Sequence, residues 1–184
     1  DSGLEAQGVG LDANGFVEVN EQLQTKVPHI YAAGDVLGDR MFVYTASHEA
    51  ELAVENMLTA AHRAPDYAAL PWVVFTDPQV AGVGLDEFQA VEQGLVVETA
   101  ELLVARWPRF RVAREDRGFL RLIRDPHTDL LVGARALAPE AGDLMTELGM
   151  VMKHRIKVKE LAETLSPYLT LSEGIQRAAA KFYP

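Results

Sequence analysis

Two prolines, Pro65 and Pro71, divide this chain of 184 residues into two segments of different character. The sequence around them, at residues 64–71, is Ala-Pro-Asp-Tyr-Ala-Ala-Leu-Pro. It follows a helix-like pattern and precedes a segment rich in β-branched and aromatic residues. Proline-containing stretches between patterned segments are typical of linkers between domains. The sequence therefore predicts a first domain at residues 1–65, a linker at 66–70 and a second domain at 71–184.

The composition excludes several classes of protein. Apolar residues make up 48% of the chain, enough for a folded core, and 17 basic residues against 27 acidic ones give a formal net charge of −10. No apolar run approaches the ~20 residues of a membrane span, and an acidic chain is a poor partner for nucleic acid. There is no cysteine, and the five histidines are scattered, so we expect no metal site. We expect a cytoplasmic protein without membrane or nucleic-acid partners.

The second segment has the pattern of an α+β domain. Five strands are predicted at residues 72–76, 80–84, 96–104, 118–124 and 130–138, and the last two form a hairpin around the turn at 125–129. Asp86, with Gln89 three residues later, predicts the start of a short helix. Longer helices are predicted at 139–154, 158–164 and 171–182. Hairpin-connected strands followed by helices favour an antiparallel sheet covered by helices.

The first segment contains too few elements for a complete domain. It predicts strands at residues 16–19 and 29–33 and a helix at 45–61, with apolar positions three and four apart. One helix cannot cover both faces of a buried parallel strand. The chain begins with Asp1 and has no initiator Met, so we expect the tail of an α/β domain whose other strands lie upstream.

The end of the predicted strand at 29–33 is a candidate ligand site. Residues 25–35 read Thr-Lys-Val-Pro-His-Ile-Tyr-Ala-Ala-Gly-Asp. Gly34 would let a ligand approach the backbone, and the Asp35 carboxylate could accept hydrogen bonds from a polyol. From the spacing alone, an ordinary Gly-Asp turn is the alternative interpretation.

This segment resembles the second flavin-contact motif of the FAD-dependent pyridine nucleotide–disulfide oxidoreductases, T-x-x-P-x-I-Y-A-x-G-D. The resemblance implies that Asp35, following Gly34, holds the flavin ribityl chain. Residues 42–46 resemble the family's entry to a helix whose N-terminus faces the flavin pyrimidine edge, which places Thr45 and Ala46 at the cofactor. A helix N-terminus suits that edge, because it offers free N–H groups and a positive dipole end. His48 and Glu49 open this helix and could approach a flavin, but the sequence favours an exposed helix face for both.

The resemblance continues through the second segment. Residues 75–84 are similar to the T-D-P-x-x-A-x-V-G signature that opens the family's dimerisation domain, and residues 118–122 and 131–134 match its following hairpin. The resemblance implies a homodimer, with the remaining FAD and NAD domains upstream of Asp1. It also implies FAD as the cofactor and NAD(P)H as a substrate of the full-length parent. We expect the isolated chain to bind no cofactor.

Residues 166–174, Ser-Pro-Tyr-Leu-Thr-Leu-Ser-Glu-Gly, resemble the place where thiol-handling members of the family have H-P-T-L-S-E. Tyr168 stands at the position of the acid–base His, and Glu173 at that of the Glu which orients it. A phenol titrates near ~10 and an imidazole near ~6.5, so Tyr168 can donate a hydrogen bond but is a poor proton shuttle for a thiolate. The pattern P-Y-L-T-x-x-E-G is similar to the mercuric reductases.

The resemblance implies that Tyr168 and Glu173 are catalytic residues that complete the site of the partner subunit. Each also has a purely structural interpretation. Thr170 and Glu173 have the spacing of a capping box, and Tyr168 could be a core residue whose hydroxyl is hydrogen-bonded.

The full-length parent is thus expected to pass electrons from NAD(P)H through FAD and thiols to Hg(II). Mercuric reductases end in a vicinal Cys pair, and the family's redox Cys pair and G-x-G-x-x-G loops precede this region. None of these motifs is present here, so we expect a fragment that is inactive alone, or a relative without the Cys tail. One alternative is a disulfide reductase like dihydrolipoamide dehydrogenase or glutathione reductase, with Tyr in place of His. Another is a non-catalytic dimerisation module in which the apolar stripe of the helix at 139–154 forms the interface.

Basic and aromatic residues alternate at residues 106–114. Such a pattern could form a surface for single-stranded nucleic acid. Because the chain is acidic and Glu115 and Asp116 follow directly, the sequence favours the solvated face of a strand.

Overall fold

The computed structural model of the chain describes residues 3–59 and 61–183. These residues form two compact units, Asp1–Asp66 and Tyr67–Pro184. The helices and strands are α1 (Val43–Leu58), β1 (Pro71–Val74), β2 (Gln79–Gly84), α2 (Glu87–Glu92), β3 (Glu98–Leu103), α3 (Pro108–Ala113), β4 (Phe119–Asp125), β5 (Leu130–Ala138), α4 (Ala141–Lys153), α5 (Val158–Glu163) and α6 (Ser172–Ala180). Short 3₁₀ turns occupy Glu5–Gln7, Gly34–Leu37 and Val104–Arg106.

The second unit contains one antiparallel sheet with the strand order β1-β2-β5-β4-β3. Helices cover this sheet, so the predicted α+β class is confirmed. β4 and β5 form the predicted hairpin, and β5 has the predicted bounds. Local turn chemistry explains this success, because Asp125 accepts a hydrogen bond from the backbone N–H of His127 and another from the hydroxyl of Thr128.

The core of the second unit lies between the sheet and helices α4 and α6. The stripe of α4 is buried in this core, and its members include Leu144, Met145, Leu148 and Val151. Burying each such side chain stabilises the fold by about 1.5–3 kcal/mol. The hypothesis that this stripe forms a dimer interface is therefore wrong, because the stripe is already used within the chain.

Helix α2 begins as the sequence predicts. Asp86 Oδ1 accepts a hydrogen bond of 2.8 Å from the backbone N–H of Gln89, and Gln89 Oε1 accepts one of 3.0 Å from the N–H of Asp86. The two residues therefore form a complete capping box.

The segment at 104–114 is not a strand. A 3₁₀ turn leads into α3, which starts at Pro108, where the fixed φ of proline suits the first helical turn. Trp107 and Phe110 are buried edge-to-face, with ring centroids 4.9 Å apart. Because the helix turns both rings inward, they are not available for stacking on bases, and the arginines around them are left at the surface.

The first unit does not form the strands that the sequence predicts at residues 16–19 and 29–33. Only Val17 and Tyr31 pair there, as single bridges to Leu11 and Gln24. The neighbouring segments do accept and donate backbone hydrogen bonds, as from Thr25 N to the Ile30 carbonyl and from Glu18 N to the Gly10 carbonyl, but the pairing is too short to make a strand. The second of these segments borders a cavity of about 310 Å³ with a mainly apolar lining.

Helix α1 begins two residues earlier and ends three residues sooner than predicted, and it buries the predicted apolar stripe only in part, at Ala53. Val54 and Leu58, which belong to the predicted apolar stripe, are 52% and 75% exposed. The buried side includes the polar residues Thr45, Glu49 and Asn56. Asn56 compensates for its burial by donating hydrogen bonds to the carbonyls of Gln22 and Arg63.

Candidate functional site

The turn at Gly34 is fixed by close contact with α1. Gly34 has φ +82°, and a Cβ added there would lie 2.9 Å from the Cβ of Ala46. Its backbone N–H donates a hydrogen bond of 2.6 Å to Glu49 Oε2. Position 34 therefore requires glycine for two reasons. Its backbone is left-handed, and Ala46 leaves no space for a side chain. The structure thus brings together two of the predicted cofactor residues, Gly34 and Ala46.

Glu49 is a residue whose role the sequence analysis missed. It was expected on an exposed face, together with His48, but it is 2% exposed, whereas His48 is exposed. Its carboxylate reaches across to the Gly34 turn, so it holds that turn against the helix. The signal that could have revealed it is its spacing, since Glu49 follows Ala46 by three residues and Thr45 by four, on one helix face.

The N-terminus of α1 is open to a ligand. Its N-cap, Phe42, makes no side-chain capping bond, and the next residue, Val43, is 85% exposed. The rings of Phe42 and Tyr44 stack with centroids 5.2 Å apart. Thr45 Oγ1 is buried without a hydrogen-bond partner in the described residues. The first N–H groups of a helix have no acceptor within it, so this end can bind a polar edge of a ligand.

Asp35 is exposed at the first turn of the 3₁₀ segment that follows Ala33. The fixed Gly34–Ala46 contact sets the position of this carboxylate relative to the start of α1. A hydrogen-bond acceptor and a set of helix N–H donors are thereby held in one unit. This combination can bind a ligand with polyol hydroxyls at one end and carbonyl oxygens at the other.

Tyr168 is presented to the outside. It lies in the loop between α5 and α6, and it is 72% exposed. The interpretation of Tyr168 as a core phenol is therefore wrong. Among the described residues, no hydrogen bond joins its hydroxyl to Glu173, although the sequence analysis placed both residues in one site.

Glu173 is 7% exposed and supports the loop beneath Tyr168. Its Oε2 accepts a hydrogen bond of 3.0 Å from the backbone N–H of Leu169, and its Oε1 accepts one of 2.8 Å from Arg177 Nε. The predicted capping box is half formed. Thr170 Oγ1 accepts a hydrogen bond of 3.3 Å from Glu173 N, but the carboxylate bonds to Leu169 instead of Thr170. Leu169 has a left-handed backbone with φ +63°, which no feature of the sequence predicts.

Residues 3–59 and 61–183 contain no group of three or more His, Asp or Glu side chains arranged to hold a metal ion. Within the same ranges, no helix has both the length and the apolar composition needed to cross a membrane.

Comparisons with known proteins place the chain in a family. Residues 70–179 match the dimerisation domain of the pyridine nucleotide-disulphide oxidoreductases, and residues 1–50 match the pyridine nucleotide-disulphide oxidoreductase domain itself. The chain belongs to this family of oxidoreductases. Among its relatives, mercuric reductase from Streptomyces lividans is 42% identical over 180 residues, and mercuric reductase from Shigella flexneri is 40% identical over 179. These alignments cover 98% and 97% of the chain, but only 38% and 32% of the relatives, so the chain spans about a third of their length.

Solved structures give the same relationship. The HOCl-induced flavoprotein disulfide reductase RclA from Escherichia coli has a TM-score of 0.89 and 28% identity, covering 96% of this chain and 41% of that one. LpdA from Mycobacterium tuberculosis has a TM-score of 0.90 and 26% identity, covering 100% of this chain and 40% of that one.

Proposed function

We propose that the chain is the C-terminal part of an FAD-dependent oxidoreductase of the mercuric reductase type. In this proposal the full-length protein oxidises NAD(P)H and reduces Hg(II), and the 184 residues alone are inactive. Similarity to mercuric reductases over nearly the whole chain, in both units, supports it. We further propose that residues 1–65 belong to the FAD-binding domain, that 66–70 are a linker and that 71–184 form the dimerisation domain.

The residues present fit a flavin. Gly34 and Ala46 hold the Asp35 carboxylate and the start of α1 in a fixed arrangement. Asp35 would accept hydrogen bonds from the ribityl hydroxyls, and the backbone at Thr45 and Ala46 would face the pyrimidine edge. When bound, FAD supplies the carrier that takes two electrons from NAD(P)H. The chain's own contribution is to orient the flavin and to place a positive helix end at the edge where negative charge develops.

The proposed oligomer is a homodimer in the cytoplasm. Tyr168 and Glu173 then complete the site of the partner subunit. The outward position of Tyr168 supports this role, because a large aromatic side chain that is 72% exposed in one chain is suited to contact a second. Glu173 would act beneath it, by holding the backbone of Leu169.

The single observation that most favours Hg(II) over a disulfide as the electron acceptor is the presence of Tyr168 where thiol-handling members of the family have a His. Reducing a disulfide requires a group that protonates the leaving thiolate near neutral pH, and His is suited to that. A phenol is a weaker acid, so Tyr168 is suited to donate a hydrogen bond beside a thiolate without becoming a base. A disulfide reductase is the alternative function, because the chain shares its fold with a solved disulfide reductase.

The test is a comparison of acceptors with the full-length protein. We expect it to copurify with flavin and to oxidise NAD(P)H when Hg(II) is added as its complex with excess small thiol. Oxidised glutathione and lipoamide should be poor acceptors under the same conditions. Rapid turnover of either disulfide, with none of Hg(II), would overturn the mercuric reductase assignment in favour of a disulfide reductase.

A further inference from the structure

Trp107 supports the Tyr168 loop from a distant part of the sequence. It precedes α3 and is fully buried. Its Nε1–H donates a hydrogen bond of 3.2 Å to the backbone carbonyl of Thr170, two residues after Tyr168. The indole ring lies against Gly174, where any Cβ would overlap it.

Hydrogen bonds within the loop also hold it together around Tyr168. The hydroxyl of Thr170 donates a hydrogen bond of 2.7 Å to the carbonyl of Pro167. Glu173 holds the N–H of Leu169 on the other side of Tyr168. Both neighbours of Tyr168 in the chain are therefore fixed, and Trp107 attaches this closed loop to the segment that follows β3.

We propose that Trp107 is a positioning residue, which sets the direction of Tyr168 through the carbonyl of Thr170. This inference rests on the proposed role of Tyr168 in the partner subunit's site. The indole does two things that a smaller apolar residue cannot do together: it fills the space above Gly174, and it donates a hydrogen bond to a loop carbonyl. Hydrogen bonds on both sides of Tyr168 restrain the backbone from which its exposed side chain projects.

The test uses the full-length protein and removes the hydrogen bond with little change in packing. In one variant, Trp107 is replaced by benzothienylalanine. This residue keeps a bicyclic ring but has no N–H donor. A second variant, Trp107→Phe, uses a natural residue. The control is Phe110→Leu, because Phe110 is buried on the same segment and packs edge-to-face with the indole, yet a phenyl ring cannot donate a hydrogen bond to the loop. Each change is made with Tyr168 and also with Tyr168→Phe.

We expect both Trp107 variants to lower kcat/KM for thiol-bound Hg(II) by about fivefold, the rate equivalent of one lost neutral hydrogen bond. Flavin reduction by NAD(P)H should keep its wild-type rate, and Phe110→Leu should lower thermal stability without lowering kcat/KM. In the Tyr168→Phe background the Trp107 changes should have no further effect, since the residue through which they act is gone.

Two results would overturn the inference, and they differ in what else they overturn. If Tyr168→Phe itself keeps wild-type Hg(II) turnover, the proposed role of Tyr168 is wrong, and the role of Trp107 falls with it. If Tyr168→Phe is impaired but the Trp107 variants lower kcat/KM equally in both backgrounds, Trp107 does not act through Tyr168. The proposed function then stands without this inference.

Discussion

Glu173 Oε2 accepts a hydrogen bond of 3.0 Å from the backbone N–H of Leu169, which has a left-handed backbone with φ +63°. A left-handed backbone costs free energy for a residue with a side chain, such as Leu169. It persists only when the surrounding structure holds it. The buried carboxylate provides that support next to Tyr168. Glu173 is thus connected to the exposed Tyr168 through the backbone of Leu169.

Replacing Glu173 should therefore loosen this loop. We expect Glu173→Ala to lower the free energy of unfolding by about 1–3 kcal/mol, because the Leu169 N–H loses its acceptor and Arg177 its partner. Glu173→Gln should lose less, since its amide oxygen can still accept the Leu169 bond. The measurement is urea unfolding followed by tryptophan fluorescence, which reports on the second unit because Trp72 and Trp107 both lie there. The control is Glu163→Ala at an exposed position of α5, and an equal loss in that variant would contradict the prediction.

The Gly34 turn should be equally sensitive to one added methyl group. Gly34→Ala places a Cβ at 2.9 Å from Ala46 and forces an L-residue to φ +82°. We expect a loss of about 1–3 kcal/mol in stability and a lower flavin content in the full-length protein. Gly15→Ala is the matched control, because Gly15 has φ +87° but no atom within 4 Å of its added Cβ. Equal flavin content in both variants would show that the contact with Ala46 does not matter for the cofactor.

Asp129 should make the second unit sensitive to acid. Burial raises the pKa of Asp129, but hydrogen bonds from the Tyr183 hydroxyl, the Lys159 N–H and Arg124 outweigh it and hold that pKa below its usual value. A depressed carboxyl pKa stabilises the fold above the unfolded-state pKa of about 3.9, and this contribution is lost as the pH falls through the folded-state pKa.

We therefore expect wild type to be more stable than Asp129→Asn near neutral pH, with a difference that shrinks below about pH 4. Urea unfolding at a series of pH values measures this difference. The exposed Glu92→Gln serves as the control, and its stability should follow the wild-type curve. If the stability difference between wild type and Asp129→Asn is the same at all pH values, the hydrogen bonds to Asp129 do not depress its pKa.

Local chemistry explains which parts of the fold could be predicted from the sequence. The capping box of Asp86 and Gln89 and the turn that begins at Asp125 each depend on neighbours within four residues, and both form as expected. The stripe of α4 was also identified as apolar, since its spacing of three and four is unambiguous. The surface against which this stripe packs could not be predicted, because an apolar stripe suits either a core or a dimer interface. The structure shows that it packs on the sheet of its own chain.

The predictions that failed depend on contacts between distant residues. Apolar spacing predicted the buried face of α1 only in part, because Glu49 and Asn56 are buried there and hydrogen-bond to backbone groups at Gly34 and Gln22. Trp107 and Phe110 are three residues apart, with Pro108 between them, and this spacing is typical of the start of a helix. The alternating arginines instead favoured the interpretation as a polar strand. At the candidate site, Gly34, Asp35, Thr45 and Ala46 are predicted from the family motif. Glu49 and Trp107 act through tertiary hydrogen bonds. Spacing places Glu49 on the same helix face as Thr45 and Ala46, but it does not show which backbone group the carboxylate binds.

The most direct test of the proposed dimer site asks whether Tyr168 of one subunit serves the flavin site of the other. Full-length Asp35→Ala and Tyr168→Phe are made with different affinity tags, coexpressed, and purified as mixed dimers through both tags in turn. In a mixed dimer, the subunit with intact Asp35 faces the intact Tyr168 of its partner, so one complete site is formed. The other site lacks both residues.

We predict that the mixed dimer has about half the wild-type rate of Hg(II) reduction per dimer, although both parent homodimers are impaired, because a twofold dimer has two equivalent sites. If Tyr168 instead acted within its own subunit, neither site of the mixed dimer would be complete. A mixed dimer no more active than its parents would therefore contradict the assignment of Tyr168 to the partner subunit's site.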